Sequence, residues 1–450
     1  MNKKLTFQRT LTFTAISLIA VATALNSQNS QAAMGNLAIT YGLLPTDIAS
    51  AQSLSMFSTQ VSASYFNPAY LVNDPRGELT TAIMHSEQEL RAKGVARNGD
   101  IVSNSPSQHV LIGMKTNLGS LTKLNHPIQL GFMAGLEKYS EELLAFESKT
   151  SEEGQFLTYG REPLFLNVGV GTKVWRGIDF GLAIGVTLEA AATLNAVSNL
   201  SGETKQEEIT VNAKPIFKAI ASVNINYGYT FCPKKSCFLS GFESALAFRE
   251  ASNSKTTVKS NIVVDQTIPS PGLFIAVATI DSFQPQIIAL ATQYKTKNWR
   301  VGVTLEHQQW SDLGNKLKGD SIKDQAEVSE SLKLNFNDTI VPRIGAEIAL
   351  NNTFSFTTGF SYEKSPLEST QSPEINYFDN DKYVIGLGLS ALFEETKVLA
   401  YPVKFDLAYQ YQMLQKREFS VTPFGTETAT EIVKTDGDVH VLSGSITLKF

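Results

Sequence analysis

The C-terminal run from Asp438 to Phe450 constrains this chain most. Leu442, Gly444, Ile446, Leu448 and Phe450 fall on one face, and Ser443, Ser445, Thr447 and Lys449 on the other. A strand that is apolar on one face and polar on the other meets two different solvents. An aromatic residue closing such a strand is typical of transmembrane β-barrels, which have lipid outside and a watery lumen inside. The N-terminus agrees. Lys3, Lys4 and Arg9 precede an apolar run from Leu11 to Leu25, and small residues follow at Ser30, Ala32 and Ala33. This reads as a secretory signal, residues 1–33, cleaved near Ala32 or Ala33. A single membrane anchor competes, but the run is short and is interrupted by Thr12, Thr14, Ser17 and Thr23. No later stretch reaches the ~20 apolar residues of a spanning helix. Such a secreted chain enters a membrane as a closed barrel.

The same alternation recurs along the chain. Ile178, Phe180, Leu182, Ile184 and Val186 oppose Asp179, Gly181, Ala183, Gly185 and Thr187. Phe217, Val223, Ile225, Tyr227 and Tyr229 oppose Lys218, Ser222, Asn224 and Asn226. Trp299, Val301, Val303 and Leu305 oppose Arg300, Gly302, Thr304 and Glu306, and Phe405, Leu407, Tyr409 and Tyr411 oppose Lys404, Asp406, Ala408 and Gln410. Counting such segments between Glu78 and Phe450 predicts about 14 strands, an even number as bacterial barrels require. A mean hydropathy of -0.07 with 42% hydrophobic residues fits, because the two faces cancel in any average. The net charge of -5 and the lack of a basic aromatic patch point away from nucleic acid.

Connections alternate in length. Short ones at 175–177, 232–237, 296–298 and 350–352 are expected to face the periplasm, and long ones such as 140–161, 253–283 and 313–339 the exterior. Cys232 and Cys237 frame a short periplasmic turn and read as a disulfide in an oxidising compartment. A metal site there lacks ligands, since no histidine lies nearby. Residues 34–77 do not alternate. They are rich in Ala, Ser and Gly, with one short helix expected over 47–57, and inward glycines on several strands leave room for them in the lumen.

These pieces together resemble a family, the FadL/TodX (OmpP1-type) outer-membrane transporters of long-chain fatty acids and other hydrophobic compounds. The resemblance rests on Asn67-Pro68-Ala69 after Val61-Ser62-Ala63, similar to the family's hatch motif. It rests also on Asn298-Trp299-Arg300 through Trp310-Ser311, on Arg343-Ile344-Gly345-Ala346-Glu347 with Gly359 to Pro366, on Asp379 to Tyr383, on Tyr409-Gln410-Tyr411 and on Lys449-Phe450. It implies an all-β, 14-stranded transmembrane barrel (78–450) plugged by an N-terminal hatch (34–77). It implies a monomer in the outer membrane of a Gram-negative bacterium, among its lipids and lipopolysaccharide. It further implies capture on outer loops, an internal pocket, and lateral release near a kinked third strand. Here that strand runs from about Ile128 to Tyr139 and carries Gly131 and Gly135. The cysteine pair and the divergent outer loops depart from the family pattern.

The apolar run Leu273, Phe274, Ile275, Ala276 and Val277 lies in an expected outer loop. It reads either as a landing site for a lipid-like ligand or as a hairpin packed on its neighbours; Leu143, Leu144, Ala145 and Phe146 are a weaker case. Inside, a fatty acid needs an apolar slot and a cation for its carboxylate. Parity puts Lys173, Lys218, Arg249, Arg300, Arg343 and Lys404 on the lumen face. Of these, Arg249, Arg343 and Lys218 are the ligand candidates. Arg343 and Glu347 sit two pleats apart in position to pair, and Arg249 shares a face with Glu243. The five histidines show no triad-like spacing, and no phosphate loop or metal motif stands out. No cofactor and no catalysis are expected. The leading expectation is uptake of long-chain fatty acids. The alternatives are a channel for uncharged alkanes or aromatics, a surface-interaction barrel that does not transport, and an outer-membrane hydrolase.

Overall fold

The structure, a computed structural model, describes residues 37–94, 106–119, 126–138, 142–148, 151–159, 164–198, 204–232, 237–264, 268–313, 335–368, 371–372, 379–395, 399–421 and 431–450. The expected signal segment, residues 1–33, lies outside the described residues.

Fourteen strands form one closed antiparallel barrel. They are β1 (Glu78–Gly94), β2 (Ser107–Asn117), β3 (Ile128–Lys138), β4 (Leu164–Trp175), β5 (Ile178–Ser198), β6 (Thr204–Asn226) and β7 (Phe242–Arg249). They continue as β8 (Gln286–Lys295), β9 (Trp299–Gln309), β10 (Thr339–Ala349), β11 (Phe354–Glu363), β12 (Lys382–Phe393), β13 (Val403–Val421) and β14 (Glu431–Lys449). Each pairs with its sequence neighbour, and β14 closes on β1 from Glu78↔Lys449 to Gly94↔Val433. Closure leaves no strand edge to lipid. The faces follow the sequence alternation. Ile83, Phe180, Leu182, Val303, Leu407 and Ile446 point outward and are exposed, while Thr80, Asp179, Thr304, Asp406 and Thr447 point inward and are buried.

Two details differ from the sequence reading. The β6 alternation stops at Asn226, and Tyr227–Phe231 forms a short helix instead of more strand. Asn226 caps it, accepting a bond from the Tyr229 amide at 3.0 Å. The segment 253–283 is no loop. Ser252–Val264 and Ile268–Gln284 make an outer hairpin. Its first strand runs parallel to upper β5, from Lys255↔Glu189 to Val264↔Ser198. The other edge of β5 is filled by β6, so this hairpin arches past β6 to reach it. A second outer hairpin, Glu142–Ser148 with Ser151–Tyr159, links β3 to β4.

Residues 37–77 fill the lower lumen. Short helices α1 (Leu37–Thr40), α2 (Pro45–Ala49) and α3 (Ala63–Phe66) alternate with 3-10 turns at Ser55–Phe57 and Pro68–Asn73. The expected single helix over 47–57 is broken at Ala51 and Gln52, whose φ values of 46° and 64° are left-handed. Such angles cost about 1–2 kcal/mol per non-glycine residue. They hold here because the barrel wall and the hatch itself take the freed carbonyls: Arg343 Nη1 donates to Ala51 O at 3.2 Å and Thr304 Oγ1 to Ser53 O at 2.8 Å.

Candidate functional site

The hatch seats against a belt of inward glycines. A Cβ at Gly359 would collide with the Ser50 carbonyl, one at Gly386 with the Ile48 and Ala49 carbonyls, and one at Gly181 with the Pro68–Ala69 peptide. Backbone meets backbone at these points, and only glycine leaves that room. Polar wall side chains then bond the hatch main chain. Arg300 Nη1 donates to Phe57 O at 2.9 Å, Lys115 Nζ to Thr59 O at 2.5 Å, Gln410 to Ile48 O at 3.0 Å, and the Ala69 amide to Ser222 Oγ at 2.9 Å. In the hatch motif, Asn67 Nδ2 donates to Met56 O at 2.6 Å and ties the two halves of the hatch together. Pro68 lies against Gly171.

The barrel seam is bolted to the same segment. Gly77 N donates to Phe450 O at 2.7 Å and Phe450 N to Gly77 O at 3.0 Å, while Lys449 Nζ pairs with Asp74 at 3.0 Å. Lys115 and Lys449 are thus lumen cations that the sequence reading left off its list.

Hatch and wall share an apolar core. Tyr65 and Phe66 of the hatch lie in one buried cluster with Met133, Ile220, Ala247, Ile287 and Ala289 of the wall, and half-buried Phe165 packs against it. Tyr65 meets Phe165 edge-on with centroids 5.8 Å apart. Its hydroxyl donates to Gln284 at the base of the outer hairpin, at 2.8 Å. The buried His109 ring packs on Phe165 at 6.4 Å.

The candidate cations sit in this zone in different states. Arg249 is buried; its Nη2 pairs with Glu306 at 2.5 Å and its guanidinium lies over the Tyr65 and Phe66 rings at 5.2 and 5.4 Å. Arg343 pairs with Glu363 at 2.7 Å and with Glu306 at 3.4 Å. The expected partners are therefore corrected. Glu347 pairs with Arg300 at 2.8 Å, because these residues are directly opposed across β9 and β10. Glu243 faces Tyr70, Gln293 and Asn226. Lys404 pairs with Asp406 at 2.7 Å. Lys218 is half-buried and makes no ion pair with a described residue; exposed Lys173 also makes none.

In β3, Gly131 faces Ser64 and Leu71 of the hatch, and Gly135 faces His109. The strand is paired with β2 and β4 without a register shift. The backbone of Leu273, Phe274, Ile275 and Val277 lies on the inner-returning strand of the outer hairpin, opposite Ile262, Asn261, Ser260 and Val258. Their side chains lie outside the described residues, as do those of Leu143 to Phe146. Cys232 and Cys237 are disulfide-bonded with Cα atoms 5.8 Å apart, between β6 and β7.

A closed 14-stranded barrel with residues 37–77 packed in its lumen, sharing one apolar core with the wall, defines a plugged outer-membrane transport barrel. The chain belongs to the outer membrane protein transport family (OMPP1/FadL/TodX), whose model matches residues 49–450. It is 58% identical over 438 residues to alkane uptake protein A of Marinobacter nauticus, covering 97% of this chain and 96% of that protein. Among solved structures it resembles a Pseudomonas aeruginosa FadL homologue (TM-score 0.60, 11% identity, 90% and 98% of the two chains). It also resembles the P. putida toluene transporter TodX (TM-score 0.55, 10% identity, 91% and 99%). These two likenesses speak for the fold.

Proposed function

We propose that this barrel takes up alkanes across the outer membrane. The observation that carries the reading is the neutralisation of the lumen arginines. Arg249 and Arg343 share Glu306, and Arg343 holds Glu363 as well. A carboxylate cargo would have to compete with these fixed acids in a site poor in water. An uncharged chain needs only apolar side chains such as Phe165, Ile220 and Ile287, which hatch movement would uncover. The 58% identity to an alkane uptake protein supports the same cargo.

Uptake is passive. The chain is captured at the outer hairpins, enters the lumen, and leaves when the hatch shifts. Exit through the wall at β3 spares the cargo the watery lower lumen. It requires β3 to part from a neighbour, and Ser64 and Leu71, lodged at Gly131, tie that opening to hatch movement. A Leu130→Cys/Val170→Cys pair, opposed across β3 and β4, staples that seam. Oxidation of the pair is expected to stop uptake and reduction to restore it; unaltered uptake by the oxidised barrel would reject this exit.

The cargo is tested with cells lacking and expressing the barrel, given radiolabelled hexadecane or oleate. Barrel-dependent hexadecane uptake is expected. Barrel-dependent oleate uptake without hexadecane uptake would replace the alkane reading by the second one, long-chain fatty acid. One observation favours that second reading: the lumen cation Lys218 makes no ion pair with a described residue.

A further inference from the structure

Three neighbouring periplasmic turns share an unusual surface. They join β4 to β5, β6 to β7, and β8 to β9. The middle one, braced by the disulfide, docks on its neighbour: Asn226 N donates to Gly177 O at 2.7 Å, and Thr230 Oγ1 to Arg176 O at 3.2 Å. On the other side Gly241 lies against Lys295 and the Tyr294 ring. Aromatic rings run through this apron in contact. Phe238 meets Phe242 at 5.5 Å, Phe242 meets Tyr294 at 4.8 Å, and Tyr294 meets Trp299 at 5.6 Å. Around that line Phe238, Tyr229, Trp175 and Phe231 are 80%, 69%, 66% and 62% exposed. Rings this open are costly in water, and the line is continuous through Trp299 with the lipid-facing wall.

Charge is equally one-sided. Lys173, Arg176, Lys295 and Lys297 are exposed at these turns and make no ion pair with a described residue. The acids in the described parts of the three turns are Asp179 and Glu243, both buried and facing the lumen. Among the described residues of the turn between β12 and β13, Glu394 and Glu395 are exposed.

We infer that the apron formed by the β4–β5, β6–β7 and β8–β9 turns binds phospholipids with anionic headgroups in the periplasmic leaflet. The rings seat at headgroup level, where aromatic side chains place an apolar body in lipid and a polar edge in water. The four cations meet phosphodiester charge, as basic clusters beside a membrane do. The barrel then gathers acidic phospholipid around β4 to β9.

The test uses the full barrel in bilayers of phosphatidylcholine and phosphatidylglycerol, one or the other brominated near the headgroup end of its chains. Bromine quenches tryptophan on contact. Trp175 and Trp299 lie in the apron, and the third tryptophan, Trp310, is buried against Phe283. At equal mole fraction, brominated phosphatidylglycerol is expected to associate at least about three-fold more strongly than brominated phosphatidylcholine. That preference disappears in an R176Q/K295Q/K297Q variant, while quenching by phosphatidylcholine persists. Equal association of both lipids with the wild type, or a preference that survives the triple variant, overturns the inference. Absence of quenching by either lipid also overturns it, and leaves the apron facing water and a periplasmic protein.

Discussion

Two zones of the lumen wall are built on opposite rules. Against much of the hatch, the wall gives up side chains altogether at Gly181, Gly359 and Gly386, or offers polar ones that bond hatch carbonyls. Beside Tyr65 and Phe66 the wall instead contributes Met133, Phe165, Ile220 and Ile287, and the arginines there are paired with acids. Polarity is spent on holding the plug. Under the proposed function, what remains for cargo once the hatch moves is apolar side chains, which suit an alkane better than a carboxylate.

The largest effect is expected from breaking the boundary between the two zones at Glu306. Glu306→Gln leaves Arg249 and Arg343 short of a counter-charge, and stranding a buried charge costs about 3–5 kcal/mol. The thermal midpoint of the barrel should fall, and oleate should gain affinity by about ten-fold, the equivalent of about 1.4 kcal/mol. Calorimetry and equilibrium binding check the two arms; a variant with unchanged oleate affinity would mean that the pairing does not exclude carboxylates.

Next comes the glycine belt. Gly359→Val drives two methyl groups toward the Ser50 carbonyl, an overpacking cost of about 3 kcal/mol borne by the hatch alone. The barrel should still migrate as a folded species on unheated gels, while planar-bilayer conductance rises as the plug leaves its seat. Wild-type conductance would show that the hatch tolerates the change.

A smaller effect is set by pH. Asp47 is fully buried in α2, where loss of hydration raises its pKa to about 6, although it accepts a bond from the Leu44 amide at 3.0 Å. Its folded value lies above the unfolded one, so the hatch binds the proton more tightly than a loosened hatch does. Seating is therefore strongest at about pH 4 and weakens as pH rises through about 6, by on the order of 2–3 kcal/mol. Hydrogen exchange of hatch amides should slow as pH falls across this window, after correction for intrinsic rates. Asp47→Asn should abolish the trend and protect the hatch at pH 7.

The smallest effect belongs to Lys218. If the lumen serves alkanes, Lys218→Met should leave hexadecane uptake within about two-fold of wild type, since no ion pair with a described residue is lost and the stem stays apolar.

Much of the barrel was legible in the sequence because lipid and lumen impose period two on every wall strand. Leu407 and Asp406, or Val303 and Thr304, reveal their faces from order alone. The plug was legible as a stretch without alternation beside glycines that face inward. The ion pairs were not, because they are non-local: Glu306 is shared by Arg249 and Arg343 from strands on either side, and same-strand spacing had favoured Glu347 and Glu243 instead. Lys115 and Lys449 escaped for a similar reason, since their partners Asp74 and Glu78 lie at the hatch–barrel junction. The Tyr227–Phe231 helix escaped because Tyr227 and Tyr229 continue the strand pattern in sequence while Asn226 caps a helix in space. The broken helix at Ala51 and Gln52 depends on Arg343 and Thr304, hundreds of residues away.

The central claim is that the lumen of the barrel selects an uncharged chain. The most direct measurement is equilibrium binding of radiolabelled hexadecane to the purified barrel, with oleate as competitor, in the wild type and in Lys218→Met. The account predicts saturable hexadecane binding that equimolar oleate barely displaces and that Lys218→Met leaves unchanged. Displacement of hexadecane by substoichiometric oleate, lost in Lys218→Met, would contradict it and make the lumen a fatty-acid site.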